Sequence, residues 1–148
     1  MRFLIQRVNH ASVKVNETIT GSIQKGFLVL IGVSEEDTKE IADKMTKKLL
    51  NMRIFEDSEG KTNLSLKDVD GSLLLVSQFT LYADCKKGNR PSFIQAAGAD
   101  LANQLYEYII EQCIAAGYQT ETGIFGADMK ITLENDGPFT ILLDSQTI

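Results

Sequence analysis

The run FLVLIGV, Phe27 to Val33, constrains the fold more than any other stretch of the chain. It is apolar without alternation and of strand length, so it suits a strand buried on both faces that the remaining residues must cover. Much of the rest alternates as half-buried strands do. RFLIQRVNHASVKV alternates over two short runs and reads as strand, turn, strand, and TITGSI reads as another strand. RIF followed by DSEG gives a short strand and turn, and the segment from Ser72 to Leu81 is strand-like. YQTETGI, MKITLE and FTILLD supply three final strands. Between the last two, NDGPFT calls for a chain reversal, since Ile131 and Leu133 alternate on one side and Phe139, Ile141 and Leu143 on the other. Asp-Gly alone satisfies a hairpin turn. Pro138 complicates it, because it removes a donor where the returning strand should begin to pair, and X-Pro is the one common place for a cis peptide.

Two windows have helical spacing instead. Ile41, Met45 and Leu49 recur on one face of DTKEIADKMTKKLLNMR, with Ser34 and Asp37 available as caps. Ala102, Leu105, Ile109 and Cys113 share a face between about Ala99 and Ala116, and Gly117 is placed to end that helix. Tyr106 and Tyr108 belong to its core or rim. Strands thus dominate, with two main helices between them, so the expected class is α+β on a mostly antiparallel, barrel-like sheet. With 148 residues, 43% of them apolar, one domain spanning 1–148 is expected.

The balance of 15 Lys and Arg against 20 Asp and Glu gives a net charge of -5, which excludes a nucleic-acid binder that relies on a broad basic face. A local anion site is still open. The densest positive stretch is CKKGNRPSF, where Lys86, Lys87 and Arg90 sit in a loop that on charge alone is simply solvated. Lys44, Lys47 and Lys48 form a solvated helix face. Cys85 and Cys113 are too few for a disulfide framework, and no Cys/His set has zinc-ligand spacing, so the expectation is a reducing, cytoplasmic setting with no metal and no cofactor. No stretch approaches a membrane span, and no membrane partner is expected.

Side-chain acid-base chemistry is scarce. The only histidine, His10, falls at a predicted strand junction, and there is no G-x-S-x-G elbow and no H-E-x-x-H. GSIQKGFL has phosphate-loop glycines without the Lys-Ser/Thr that should follow, and Glu35 and Glu36 are capping charge. SQFTLYAD remains. It is either a strand leaving the core with polar residues at its end, or a cluster of backbone N–H and hydroxyl groups at the mouth of a cleft.

Taken together, IQRVNHASVKV, VSQFTLYAD, KGNRPSF and ENDGPFTILL resemble the D-aminoacyl-tRNA deacylase family in order and spacing over nearly the whole chain. The family's S-Q-F-T and N-x-G-P-x-T motifs stand at Ser77 to Thr80 and Asn135 to Thr140. The resemblance implies a homodimeric editing enzyme that hydrolyses the ester between a D-amino acid and the terminal adenosine of tRNA, with related activity on glycine mischarged to alanine tRNA. It further implies a cis Gly137-Pro138 bond in a loop that enters the partner subunit's active site as a chirality gate, braced by Arg7. Catalysis would use the 2′-OH of the terminal ribose, with an oxyanion site at the Phe79 N–H aided by Ser77, Gln78 and Thr80. Lys86, Lys87 and Arg90 are candidate phosphate contacts on charge alone. The alternative is a nucleic-acid-binding module that hydrolyses nothing.

Overall fold

The computed structural model describes residues 1–148. Its longest shared element is β1 (Arg2–Val15), which has a partner along each edge. On one edge its first half pairs antiparallel with β3 (Gly26–Gly32) and its second half with β2 (Thr18–Ile23). Asn16 and Glu17, with φ of 47° and 66°, make the turn from β1 into β2, the left-handed pair that a tight hairpin needs. On the other edge β8 (Lys130–Asp144) runs antiparallel from Arg2↔Asp144 to Lys14↔Lys130.

Two parallel pairings complete the sheet: β3 with β6 (Ser72–Ser77), and β6 with β7 (Thr120–Thr122). Parallel neighbours require long crossovers, and both helices lie in them. The first crossover carries α1 (Lys39–Leu50) and a hairpin of β4 (Arg53–Glu56) and β5 (Thr62–Ser65), and the second carries α2 (Ala99–Ala115). Gly26 permits the approach of β3 to β6, because a Cβ there would lie 1.9 Å from the Ser72 carbonyl oxygen. The product is an α+β fold with a nearly closed, mostly antiparallel sheet in the order β2-β1-β3-β6-β7, with β8 on β1.

As FLVLIGV demanded, β3 is covered on both faces. Phe27, Val29 and Ile31 meet Met45, Leu49, Leu105, Ile109 and Cys113 of the helices in the larger core. Leu28 joins Val8, Val13, Leu74 and Val76 in a smaller core on the opposite face. No helix is long and apolar enough to cross a membrane.

Several sequence expectations need correction. β1 is one continuous strand with no turn in it, and His10 lies within it, 3.7 Å from Glu134, instead of at a junction. MKITLE and FTILLD are likewise one strand, so NDGPFT reverses nothing. There Asp136, Gly137, Pro138 and Phe139 stand opposite Arg7 alone, as a bulge. The surplus is odd, so alternate residues change face across it. Ile131 and Leu133 accordingly pack on the smaller core, whereas Phe139, Ile141 and Leu143 pack on the larger. The strand from Ser72 stops at Ser77, not Leu81. β5 was not expected, and β7 is shorter than YQTETGI. Thr38 caps α1 through the Ile41 N–H, while Asp37 accepts from the Ser34 N–H and the Met1 amine instead.

Candidate active site

β6 leaves the sheet at Ser77, where the Gln78 N–H still reaches the Ile31 carbonyl at 2.7 Å. The chain then tightens into a 3-10 turn, Phe79–Tyr82, closed by Leu81 N–H to Gln78 O at 3.3 Å and Ala83 N–H to Thr80 O at 3.1 Å. The first residues of such a turn have no acceptor within it for their N–H groups, and Gln78 supplies no side-chain cap. Backbone donors at Phe79 and Thr80 are thereby left for something else. The Gln78 amide donates to Thr80 Oγ1 at 2.5 Å, which ties the two polar side chains of the turn together.

Arg2 holds the far end of the turn. Its Nη1 donates to the Leu81 carbonyl at 2.8 Å, its Nε to Asp144 at 2.9 Å, and its guanidinium lies 4.5 Å over the Tyr82 ring. Burial pushes the Tyr82 hydroxyl up to about 12. Below the turn Gly32 leaves room, since a Cβ there would come within 2.9 Å of Leu81 Cβ.

Ser77, Gln78 and Phe79 line a cleft of about 450 Å³, whose walls come from Ala99 and Ala102 of α2 and from the segment Phe125 to Ile131. It is mostly apolar. Asp128 is the one titratable residue on its lining, held by Lys130 at 3.0 Å, and His10 and both cysteines lie outside it. Phe79 is 54% exposed at the rim and meets Phe93 edge-on at 5.1 Å. A cleft of this kind offers hydrogen-bond donors and mostly apolar walls, and its one ionisable side chain, Asp128, is exposed and paired with Lys130.

The second motif forms a separate structure. Gly137 has φ of 136°, and its bond to Pro138 is cis. Arg7, only 6% exposed, fixes the bulge from inside the fold. Its Nε donates to the Asp136 carbonyl at 3.1 Å and pairs with the Asp136 carboxylate at 3.2 Å, while Nη1 donates to the Ile54 carbonyl at 2.7 Å. The guanidinium stacks 4.6 Å over Phe139. Asn135 closes the bulge: its side chain accepts the Phe139 N–H at 2.6 Å and donates to Thr140 Oγ1 at 2.8 Å. Gly137 and Pro138 themselves are exposed.

The fold therefore brings Ser77, Gln78, Phe79 and Thr80 together, and it brings Arg7 to Gly137 and Pro138. It does not bring the two groups to each other, since no residue from Asn135 to Thr140 lines the cleft. Lys86, Lys87 and Arg90 are exposed beyond the turn and make no ion pair. Asn135 and Thr140 belong to the N-x-G-P-x-T motif, and their position on either side of Gly-Pro is the sequence signal for this closing role. Arg2 and Asp144 were missed, because nothing in the sequence links residues so far apart.

A model of the D-Tyr-tRNA(Tyr) deacylase family matches residues 4–144. The D-aminoacyl-tRNA deacylase of Clostridium perfringens (strain 13 / Type A) is 56% identical over 146 residues, 99% of this chain and 98% of that protein. That of Thermosipho melanesiensis is 53% identical over 150 residues, 100% of this chain and 99% of that protein. Among solved structures, the c-Myc DNA Unwinding Element Binding Protein superimposes with a TM-score of 0.92 at 40% identity, covering 97% of this chain and 98% of that one. A probable eukaryotic D-amino acid tRNA deacylase shares the fold, with a TM-score of 0.82 at 22% identity over 96% of this chain and 97% of that one. With its S-Q-F-T turn at the cleft and its braced Gly-Pro bulge, the chain belongs to the D-Tyr-tRNA(Tyr) deacylase family.

Proposed function

We propose that this chain hydrolyses the ester joining a D-amino acid to the 3′-terminal adenosine of tRNA, and also clears glycine from alanine tRNA. The observation that carries the reading is the cleft itself: backbone donors at its rim, mostly apolar walls, no histidine or cysteine on its lining, and a single carboxylate, Asp128, that is paired with Lys130. In such a site the protein contributes position and an oxyanion contact, for which the Phe79 N–H is the donor. One oxyanion donor is typically worth about 2.7–4 kcal/mol, enough to matter without a catalytic side chain. The proton-transfer partner is then the substrate's own ribose 2′-OH, with Gln78 and Thr80 orienting that end of it.

Discrimination against L-aminoacyl-tRNA belongs to Gly137-Pro138 of a second copy of the chain. Both enantiomers carry the same groups, so attraction alone separates them poorly, and a backbone wedge that excludes the L side chain separates them well. A selectivity of about 10⁴ corresponds to about 5.5 kcal/mol, within reach of a steric clash. Glycine has no side chain to exclude and passes. The separation of the two motifs within one chain supports a homodimer, because the exposed Gly137 and Pro138 do not line the cleft of their own chain. Lys86, Lys87 and Arg90 take phosphates near the 3′ end. The whole chain acts as one domain, in the reducing cytoplasm that two free cysteines suit.

The competing reading, a nucleic-acid-binding module without hydrolysis, draws on the name of the c-Myc DNA Unwinding Element Binding Protein. One assay separates the two. Purified protein is incubated with D-tyrosyl-tRNA and L-tyrosyl-tRNA, and ester loss is followed. Selective loss of the D-ester supports the enzyme; binding of both with loss of neither supports the module.

A further inference from the structure

Lys44, Lys47 and Lys48 share one exposed stripe of α1, at the helical spacing that makes side chains neighbours. Together with Asn51 and Ile148 they line a shallow depression of about 300 Å³, so they converge on one spot. In a chain with 20 acidic residues, none of the three pairs with a carboxylate side chain. Lys44 donates to a main-chain oxygen of Ile148, the last residue of the sequence, so the cations of the stripe left without a partner are Lys47 and Lys48. Two carboxylates stand one turn before stripe lysines on α1: Asp43 accepts the Tyr108 hydroxyl at 2.7 Å, and Glu40, four residues before Lys44, forms no ion pair with it. The helix dipole favours cations in the last turn, which accounts for Lys47 and Lys48 but does not reach Lys44.

The stripe is also well placed. Val33 lines the cleft, and α1 begins at Lys39 shortly after it. At 1.5 Å per residue, Lys44 to Lys48 lie about 8–14 Å along the helix from that start. Neighbours at this helical spacing stand about 5–6 Å apart, close enough to meet successive phosphates of one strand.

We propose that the Lys44, Lys47 and Lys48 stripe of α1 docks the phosphate backbone of the tRNA acceptor stem. It gives affinity without reading sequence, and it gives a chain of net charge -5 a local purchase on a polyanion. The inference rests on the tRNA reading of the cleft but has its own measurement.

The experiment compares the full chain with the double variant Lys47→Glu, Lys48→Glu and with a control carrying the same charge change elsewhere, Lys61→Glu, Lys67→Glu. Binding of uncharged tRNA is measured over a salt series. In parallel, ester cleavage is measured on D-tyrosyl-tRNA and on a D-tyrosyl ester of a short single-stranded RNA with the same 3′ end. The stripe variant should bind tRNA about tenfold more weakly, with a log-log salt slope shallower by about two. Its KM should rise for the full tRNA, with kcat and the short substrate unaffected, while the control behaves as the parent. Equal tRNA binding and salt slope in parent and stripe variant would overturn the proposal, as would an equal loss on both substrates. So would binding of the parent to anionic phosphatidylserine vesicles that the variant loses while its tRNA binding stays intact. A parent that binds tRNA through the stripe yet cleaves neither ester would sink the enzymatic reading and leave the docking surface standing.

Discussion

Asn135 is bonded across its own bulge to Thr140, Nδ2 to Oγ1 at 2.8 Å, while its Oδ1 takes the Phe139 N–H at 2.6 Å. The bulge is therefore a closed ring of contacts and not a slack loop. Asn135→Ala removes both bonds and should cost about 1–2 kcal/mol in thermal unfolding. D-aminoacyl-tRNA cleavage should fall more than the stability loss accounts for, because the projecting backbone loses its position. Unchanged turnover in a folded variant would show that the ring has no part in activity.

Gly137→Ala meets two obstacles. An alanine at φ of 136° is strained, and its Cβ would sit 3.1 Å from the Phe139 nitrogen and 3.2 Å from Arg7 Nη2. The variant should fold, since Gly137 is exposed, but lose most of its activity on D-substrate. If the bulge serves a second subunit, mixing this variant with one disabled at Gln78 should restore activity at one of the two sites. Verified mixed dimers that stay inactive would rule out the shared site.

Arg2→Ala deprives the Leu81 carbonyl and the Asp144 carboxylate of their donor at once. The turn should loosen at its closed end, with kcat reduced about tenfold or more and KM little changed, as expected when a transition-state contact is misplaced. Arg2→Lys keeps the charge but not the fork, and should recover only part of the rate. A kcat equal to that of the parent in Arg2→Ala would mean that the turn holds its shape unaided.

Thr80→Ala should keep substantial hydrolysis if the ribose hydroxyl does the chemistry. A substrate charged on the 3′ position of a 2′-deoxy terminal adenosine should be poor for the same reason. An inactive threonine variant together with normal turnover of the deoxy substrate would make Thr80 the nucleophile.

Alkaline pH tests the core. Burial pushes the Cys113 thiol from an ordinary 9.0 up to about 12 and the Tyr106 hydroxyl from 10.0 up to about 12. Both are neutral in the folded chain, so the unfolded state releases its protons first as pH rises. Unfolding free energy should be flat on this account below about 9 and then decline from pH 9 toward 12. In Cys113→Ala the decline should begin nearer pH 10, where tyrosine alone remains. Identical profiles for parent and variant would place the titrating group elsewhere.

Both helices were legible because their apolar residues recur with one period over three or more turns, and the faces read for Ile41 to Leu49 and Ala102 to Cys113 face the cores as expected. β3 was legible because an unbroken apolar run has few other uses. What failed was continuity. β1 and β8 change face within a single strand, and the bulges that allow this carry the same Asn, Asp, Gly and Pro residues that mark a reversal. The hairpin turn from β1 into β2 used Asn16 and Glu17, with no glycine to announce it. The parallel pairing of β3 with β6 lay beyond local pattern, as it depends on a crossover of some forty residues. In the site, short motifs pointed to the residues of the polar turn and to Gly137-Pro138, but not to the turn and the bulge that these residues form. The arginines that hold them, and the distance between the two motifs within one chain, depended on long-range contacts.

Arg2 and Arg7 lie on the same strand, one holding the polar turn and the other the Gly-Pro bulge. Five residues of extended chain span about 16 Å, a length set by bond geometry and hardly altered by temperature or packing. β1 thus acts as a gauge block between the two motifs. An inserted residue would offset one motif against the other by about 3.3 Å and turn Arg7 out of the core. Tolerance in this molecule is accordingly one of side-chain identity over most of its surface, and of chain length almost nowhere between these two arginines.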